Sequence, residues 1–364
     1  MNAQEPALQR LIDHVRTAAH ARAPLAIRGG GTKDFYGQAP LGEPLDMTPF
    51  AGIPSYEPTE LVVTARAGTP LDELEAALAQ KGQCLPFEPP HFGARTTVGG
   101  MVAAGLSGPA RAAAGAVRDY VLGATLLDGR GEVLSFGGQV MKNVAGYDVS
   151  RLLAGSLGTL GVILEVSLKV LPVAPATATV RFAADAAGAI RMLNEWGARP
   201  LPIHASAWSG DTLTVRLSGA RAAVEAAGVA LGGEVVEPAA AASFWRALRD
   251  QSGGFFAEAR DALASGAALW RVAVPSTTPP LALAGTSLVE WGGAQRWLVS
   301  RAPAQEVRGA AARAGGHATL FRAEDKSAGV FTPLAGPLER IHRQLKASFD
   351  PQGIFNPGRL YPGL

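Results

Sequence analysis

One cysteine, Cys84, is all that this chain of 364 residues contains. That excludes a disulfide within the chain and any cysteine-ligated zinc or iron–sulfur centre. The expected role of Cys84 is that of a small buried apolar residue. Charge of one sign is also missing. Lys and Arg number 33, Asp and Glu 31, and the net charge is +2. No electrostatic case for a nucleic-acid partner arises. No apolar run reaches the ~18 residues that argue for a membrane-spanning helix. Near the start, Glu5, Arg10 and Asp13 alternate with Leu8, Leu11, Ile12 and Val15. This reads as an amphipathic helix, not a secretory signal. A cytoplasmic protein is expected, with peripheral attachment to the inner face of the cytoplasmic membrane through a complex left open.

Familiar sites are missing too. No G-x-G-x-x-G follows a strand, so a Rossmann site is not supported. There is no P-loop and no G-x-S-x-G nucleophile elbow. His14, His20, His91, His204, His317 and His342 show no metal-ligand spacing, and no metal site is expected.

What is present is ordered punctuation. The length suggests two or three domains by the usual ~100–200 residues each. Strands are expected at residues 24–28, 61–67, 120–127, 133–136 and 162–170, with a hairpin turn at 128–131. A helix is expected after Thr69 as N-cap and Pro70 as first helical residue, burying Leu71, Leu74 and Leu78. Small residues from Thr97 to Gly105 open another. Beyond the prolines at 172 and 175 the pattern becomes that of a second α+β unit. A helix over 338–349 aligns Leu338, Ile341, Leu345 and Phe349 on one face. The fold class is α+β, with units at 1–174, 175–330 and 331–364.

Three glycine-rich runs stand out in the first half: Arg28 to Lys33 (RGGGTK), Thr97 to Gly100 (TVGG) and Gly155 to Gly161 (GSLGTLG). Successive amides in such turns form anion-binding nests. Several converging loops suit a pyrophosphate. Each alone also reads as an ordinary tight turn.

In this order, RGGGTK, PFEPPHFGARTTVGGMVAAGLSGP (86–109), KNVAGYD (142–148) and GSLGTLGVI (155–163) resemble the PCMH-type FAD-binding domain of the vanillyl-alcohol-oxidase family. The likeness spans roughly residues 1–175, and FDPQGIFNPGRLY (349–361) resembles the family's usual ending. Within the family, FWRALRDQSGGFF, VEWGGAQRWL and GGHATLF resemble the flavin subunits of bacterial glycolate oxidases.

The resemblance implies an FAD domain, a smaller α+β cap, and a tail returning to the FAD domain. It implies that Arg28, Gly29, Gly30, Gly31, Thr32 and Lys33 wrap the FAD pyrophosphate. Thr97, Val98, Gly99, Gly100 and Gly105, with Pro90, would let the flavin pack on bare backbone. Gly155, Ser156, Gly158, Thr159, Gly161 and Val162 would complete the diphosphate and adenine side, and Asn356 and Arg359 would return near the isoalloxazine. Many relatives bond the flavin through a His in the glycine loop. Thr32 and Lys33 stand there, so noncovalent FAD is expected.

The implied partners are a homologous larger FAD-binding subunit and an iron–sulfur subunit, and the implied substrate is a small 2-hydroxy acid, glycolate foremost. Oxidising it needs a cation for the carboxylate and a base for the hydroxyl proton. Arg271, Arg296 and His317 are the candidates in cap strands, each equally readable as a packed or solvated residue. Tyr147 and Asp148 read either as a helix start or as neighbours of the flavin. Two other functions stay open: a flavin-holding relay subunit without substrate chemistry, and an autonomous oxidase.

Overall fold

The structure, a computed structural model, describes residues 6–138 and 147–364. Residues 142–146 of the KNVAGYD run lie outside the described residues.

The run VILEVSLK is apolar at five of eight positions and buried at six, because both of its faces are covered. Strand Val162–Lys169 sits at the middle of a five-stranded sheet. The spatial order is Ser55–Glu57, Val62–Arg66, Val162–Lys169, Val121–Leu127, Val133–Gly137, with antiparallel pairing throughout. Ile163, Val166 and Leu168 face helices Leu71–Ala79 and Val98–Ala104. Val162 and Leu164 face the other way, onto Leu8, Ile12 and Val15 of helix Pro6–Ala21. A parallel pair, Leu25–Arg28 with Glu43–Asp46, completes that second layer.

Residues 176–322 build an eight-stranded antiparallel sheet. Its order is Glu234–Val235, Ala176–Ala183, Thr212–Gly219, Ile203–Ser209, Thr286–Glu290, Gln295–Ser300, Ala268–Ala273, His317–Arg322. Helices Ala186–Gly197, Arg221–Leu231 and Ala304–Arg313 cover the outer face. The inner face carries Ala205, Leu269, Leu288, Trp297 and Phe321 against Tyr36, Ala104, Leu106 and Leu157 of the first unit. One apolar cluster therefore joins the two units.

Several elements differ from the sequence reading. Thr69 is not an N-cap: its hydroxyl accepts from the Gly52 amide (3.0 Å) and donates to the Gly52 carbonyl (2.9 Å). Pro70 holds the cap position without any side-chain bond. Cys84 is only partly buried, in a two-residue strand paired with Leu171–Pro172. Strand Glu43–Asp46 and helix Phe255–Ala264 carry too little periodicity to stand out. The helix over 338–349 begins at Gly336, and only the second half of its apolar face is covered: Leu345 and Phe349 pack on the core of the first sheet. Leu338 and Ile341 are 51% and 56% exposed, and the buried residue is Lys346.

Lys346 anchors that second half of the helix. Its ammonium donates to the Thr159 carbonyl (2.7 Å), the Phe355 carbonyl (2.7 Å) and Asp350 Oδ2 (2.6 Å). Asp350 in turn accepts from the Ile354 and Phe355 amides. The tail then runs beside Leu25–Arg28, where the Leu25 amide donates to Ile354 and the Asn356 amide to Leu25. Removing one partner of a buried pair leaves the other charge uncompensated. We expect Lys346→Ala to lose about 3–5 kcal/mol of stability in urea unfolding, far more than Ala at exposed Lys81.

Candidate functional site

Strand Leu25–Arg28 delivers the chain into the loop 29–38. The five consecutive amides from Gly29 to Lys33 donate to no acceptor among the described residues. The loop's carbonyls are held from behind. The Arg359 guanidinium donates to the carbonyls of Lys33 (3.4 Å), Asp34 (3.2 Å) and Gln38. The Lys326 ammonium donates to those of Phe35 (2.5 Å) and Gly37 (2.9 Å). Arg28 pairs with Asp34 across the loop at 2.6 Å. Cations thus anchor the later half of the loop, residues 33–38, by its carbonyls and leave the amide side of 29–33 free for an anion.

That free side lines a cleft of about 740 Å³, counted to its open mouth. Arg28, Gly29, Gly30, Gly31, Thr32, Lys33, Thr97, Gly99, Gly100, Gly158, Gly161, Asn356 and Arg359 all line it. Ile27, Met47, Ala67 and Ile163 add an apolar floor that the sequence reading did not single out. Glycine is required by contact at Gly30, where a Cβ would sit 1.5 Å from the Arg95 carbonyl oxygen. Gly158 has φ +72°, and a Cβ there would meet Asn356 Nδ2 at 2.7 Å.

The other expected cofactor residues lie off the cleft. Val98 and Val162 are fully buried core residues, because each begins an element packed on the sheet. Gly105 ends helix Val98–Ala104 in the left-handed region and touches Gly155. Gly155, Ser156 and Thr159 shape the third turn. The Gly155 amide donates to Val102, Ser156 Oγ to Leu153 and Thr159 Oγ1 to Ser156. The second glycine run offers no free nest either: the Gly99 amide donates to Ala67 and the Gly100 amide to Thr97 Oγ1. Pro90 lines a separate small pocket under the cap.

Asn356 works as a clamp. Its Oδ1 accepts from the Ile27 amide (2.8 Å) and its Nδ2 donates to the Leu157 carbonyl (2.6 Å). Lys33 Nζ lies 5.7 Å from the centre of the Phe92 ring. Burial lowers its pKa to about 8, with Asp250 opposing the shift. Tyr147 is 95% exposed, and Asp148 bonds Ser150 Oγ (2.9 Å) and Arg151 at the start of a short helix.

The cap's inner face holds the second polar cluster. Glu290, Gln295, Ala273 and His317 lie opposite one another in one cross-strand row. Leu288, Trp297, Arg271 and Thr319 form another. Between them runs Val289, Arg296, Val272 and Ala318, which by alternation faces outward. Arg296 is therefore on the wrong face for a substrate under the cap. It is buried, donates to the carbonyls of Gly293 (2.6 Å) and Thr278 (2.8 Å), and has its pKa lowered by burial to about 10. Arg271 faces inward, with Nε donating to Gln295 Oε1 (2.9 Å) and its guanidinium over Trp291. His317 is exposed on the edge strand, its pKa lowered by burial of the ring and then by Arg271.

Glu290 escaped the sequence reading. It is 4% exposed, and its Oε2 accepts from Trp297 Nε1 (2.5 Å) and Gln295 Nε2 (3.2 Å). Burial raises its pKa to about 7, opposed by those bonds and by Arg271. No group of three or more His, Cys, Asp or Glu is placed to hold a metal ion among the described residues.

A nest of free amides, a long cleft with an apolar floor and a cap over its end define a dinucleotide-type flavoprotein site. A family model described as an FAD binding domain matches residues 8–137. A solved structure of alkyldihydroxyacetonephosphate synthase shares the fold at TM-score 0.63 and 15% identity, covering 96% of this chain and 74% of that one. The chain is 47% identical over 356 residues to the glycolate oxidase subunit GlcE of Escherichia coli (strain K12), across 98% of both. A D-lactate dehydrogenase of Archaeoglobus fulgidus is 38% identical over 159 residues, 41% of this chain and 33% of that protein. The glycolate oxidase subunit GlcD of Bacillus subtilis (strain 168) is 32% identical over 153 residues, 42% of this chain and 32% of that protein. The chain belongs to the GlcE family of FAD-linked oxidoreductase subunits.

The sites make two predictions. Gly30→Ala leaves no room for its methyl beside Arg95 and is expected to strip FAD from the purified protein, read as the ratio of flavin to protein absorbance. For Glu290 the folded pKa lies above the unfolded one. Its stabilising contribution is whole below about pH 4.5 and is lost as pH rises through about 7. The loss is on the order of 3 kcal/mol. Glu290→Gln should flatten that part of the stability curve in urea titrations between pH 4.5 and 8.

Proposed function

We propose that this chain is the FAD-bearing subunit of an assembly that oxidises glycolate to glyoxylate. The observation that carries the proposal is the loop 29–38, in which the free amides of 29–33 face the cleft while Arg359 and Lys326 hold carbonyls of residues 33–38. The likeness to GlcE over the whole chain supports it. The pyrophosphate of FAD would lie on the amides of Gly29 to Lys33. The third turn and Asn356 would close the opposite wall. Bound FAD supplies a two-electron acceptor for a C–H bond next to a hydroxyl.

The link to FAD is noncovalent in this reading, since Thr32 and Lys33 offer no imidazole. The partners are a homologous larger FAD-binding subunit and an iron–sulfur subunit that takes the electrons onward. With one cysteine this chain holds no cluster of its own. Among the described residues no helix is long and apolar enough to cross a membrane. Contact with the inner membrane face is then made through the complex.

The test is purification of the tagged chain from its host. It should bring down FAD, the larger flavoprotein and an iron–sulfur protein, and acid precipitation should leave the yellow colour in the supernatant. Glycolate added without oxygen should bleach the flavin of the complex. Colour in the pellet sinks the noncovalent link. A complex that holds FAD and stays yellow with glycolate sinks the activity.

A further inference from the structure

We propose that the inner face of the cap carries this chain's own 2-hydroxy-acid subsite, with Arg271 holding the carboxylate and Glu290 receiving the hydroxyl proton. The inference rests on the function proposed above and adds the residues that meet the substrate. The pocket concerned is walled by Arg271, Glu290, Gln295 and Trp297 from the cap and by Pro90 and Leu106 from the first unit. Ala104 and Leu157 tie it to the cofactor cleft: both line the cleft and both pack in the cluster beneath the cap.

The two polar groups are each half used. Both hydrogen bonds to Glu290 arrive at Oε2, and Oε1 accepts none among the described residues. Arg271 gives Nε to Gln295 and also meets the buried Tyr36 hydroxyl, whose pKa burial raises and Arg271 lowers; it forms no ion pair among the described residues. Arg271 and Arg111 stack on Trp291 at 5.5 and 4.5 Å. Trp291 is fixed by donating to the Gly108 carbonyl (3.0 Å). Gln295 links the pair, with its amide nitrogen on Glu290 and its amide oxygen on Arg271. A structural carboxylate in such a place would close on the arginine. Here an amide stands between them and keeps both available.

The step balances with FAD as oxidant. The substrate O–H bond breaks and its proton passes to Glu290 Oε1. Bound FAD would supply the two-electron acceptor for the C–H hydride, leaving a carbonyl on the product. A base working near neutral pH needs a pKa near 7, which burial gives Glu290. Arg271 and Glu88 are the charged groups acting on it, and Arg249 also borders the pocket.

Oxalate, a dianion above pH 5.5 that cannot be oxidised here, is the probe. It is titrated calorimetrically into the full-length, FAD-loaded chain between pH 5.5 and 8.5. Binding should weaken about tenfold as Glu290 ionises, one pKa-scale step of repulsion. Glu290→Gln should flatten that dependence to under threefold and slow anaerobic bleaching by glycolate about 100-fold or more. Arg271→Met should weaken oxalate more than tenfold at every pH, the loss of a charged hydrogen bond. Trp297→Phe removes a donor that favours the carboxylate, so it should move the binding midpoint to higher pH. Oxalate binding indifferent to Glu290→Gln and Arg271→Met overturns the subsite. So does an FAD-loaded chain that binds no oxalate, while its flavin content leaves the cofactor assignment standing. A chain that holds no FAD fails both.

Discussion

The structure depends on keeping one loop's amides unpaired. Backbone polar groups buried without partners are expensive, so a loop normally satisfies its own. Between residues 29 and 38 the two halves of the loop are treated differently. The carbonyls of Lys33, Asp34, Phe35, Gly37 and Gln38 are bonded by Arg359 and Lys326. The amides of Gly29 to Lys33 are left to face the cleft. Those two cations come from residues 326 and 359, nearly the whole chain away. The glycine loop is held open by residues from the last tenth of the chain and its neighbourhood, Arg359 and Lys326.

That dependence extends to the opposite wall. The third turn is pinned through the Thr159 carbonyl by Lys346 and through the Leu157 carbonyl by Asn356. Both residues also hold the tail to itself or to Leu25–Arg28. One C-terminal segment of helix and tail therefore sets the separation of the two walls. Rigid placement of donors ahead of the ligand is what lets a polar site bind without first paying for reorganisation. A loss at Lys346 would be felt at the cleft wall, although Lys346 does not line the cleft.

The fold was legible wherever local pattern and tertiary burden agreed. VILEVSLK, LVVTARA and the Thr97 helix announce themselves by apolar runs and capping, and they stand as strand, strand and helix. The glycine loop at 28–33 was legible for the same reason: Gly30 has no room for a Cβ. What stayed hidden was decided by partners far away in sequence. Thr69 looks like a cap, yet Gly52 claims its hydroxyl. Leu338 and Ile341 look like a buried stripe, yet Lys346 turns inward because three acceptors converge on it. Glycine spacing also overstated the second and third runs as nests. Their amides mostly serve helix Val98–Ala104 and its neighbours.

The substrate side obeys a different logic, because there the strand alternation decides. Arg271 and Arg296 lie on adjacent strands and look equivalent in sequence. Arg271 is opposite Trp297, and Arg296 is opposite Val272. That single step in register puts one guanidinium under the cap and buries the other on the far face among carbonyl acceptors. The same alternation brings Glu290 inward two residues after Leu288, beside Gln295. Nothing in VEWGGAQRWL marks its glutamate, since a carboxylate at a strand end reads as a solvated charge. Only the folded sheet shows it desolvated, with one oxygen bonded and the other accepting no hydrogen bond among the described residues. The glycine loop at 28–33 thus shapes a cleft suited to FAD and is silent on a substrate, while the rows of the cap sheet decide which polar groups face inward.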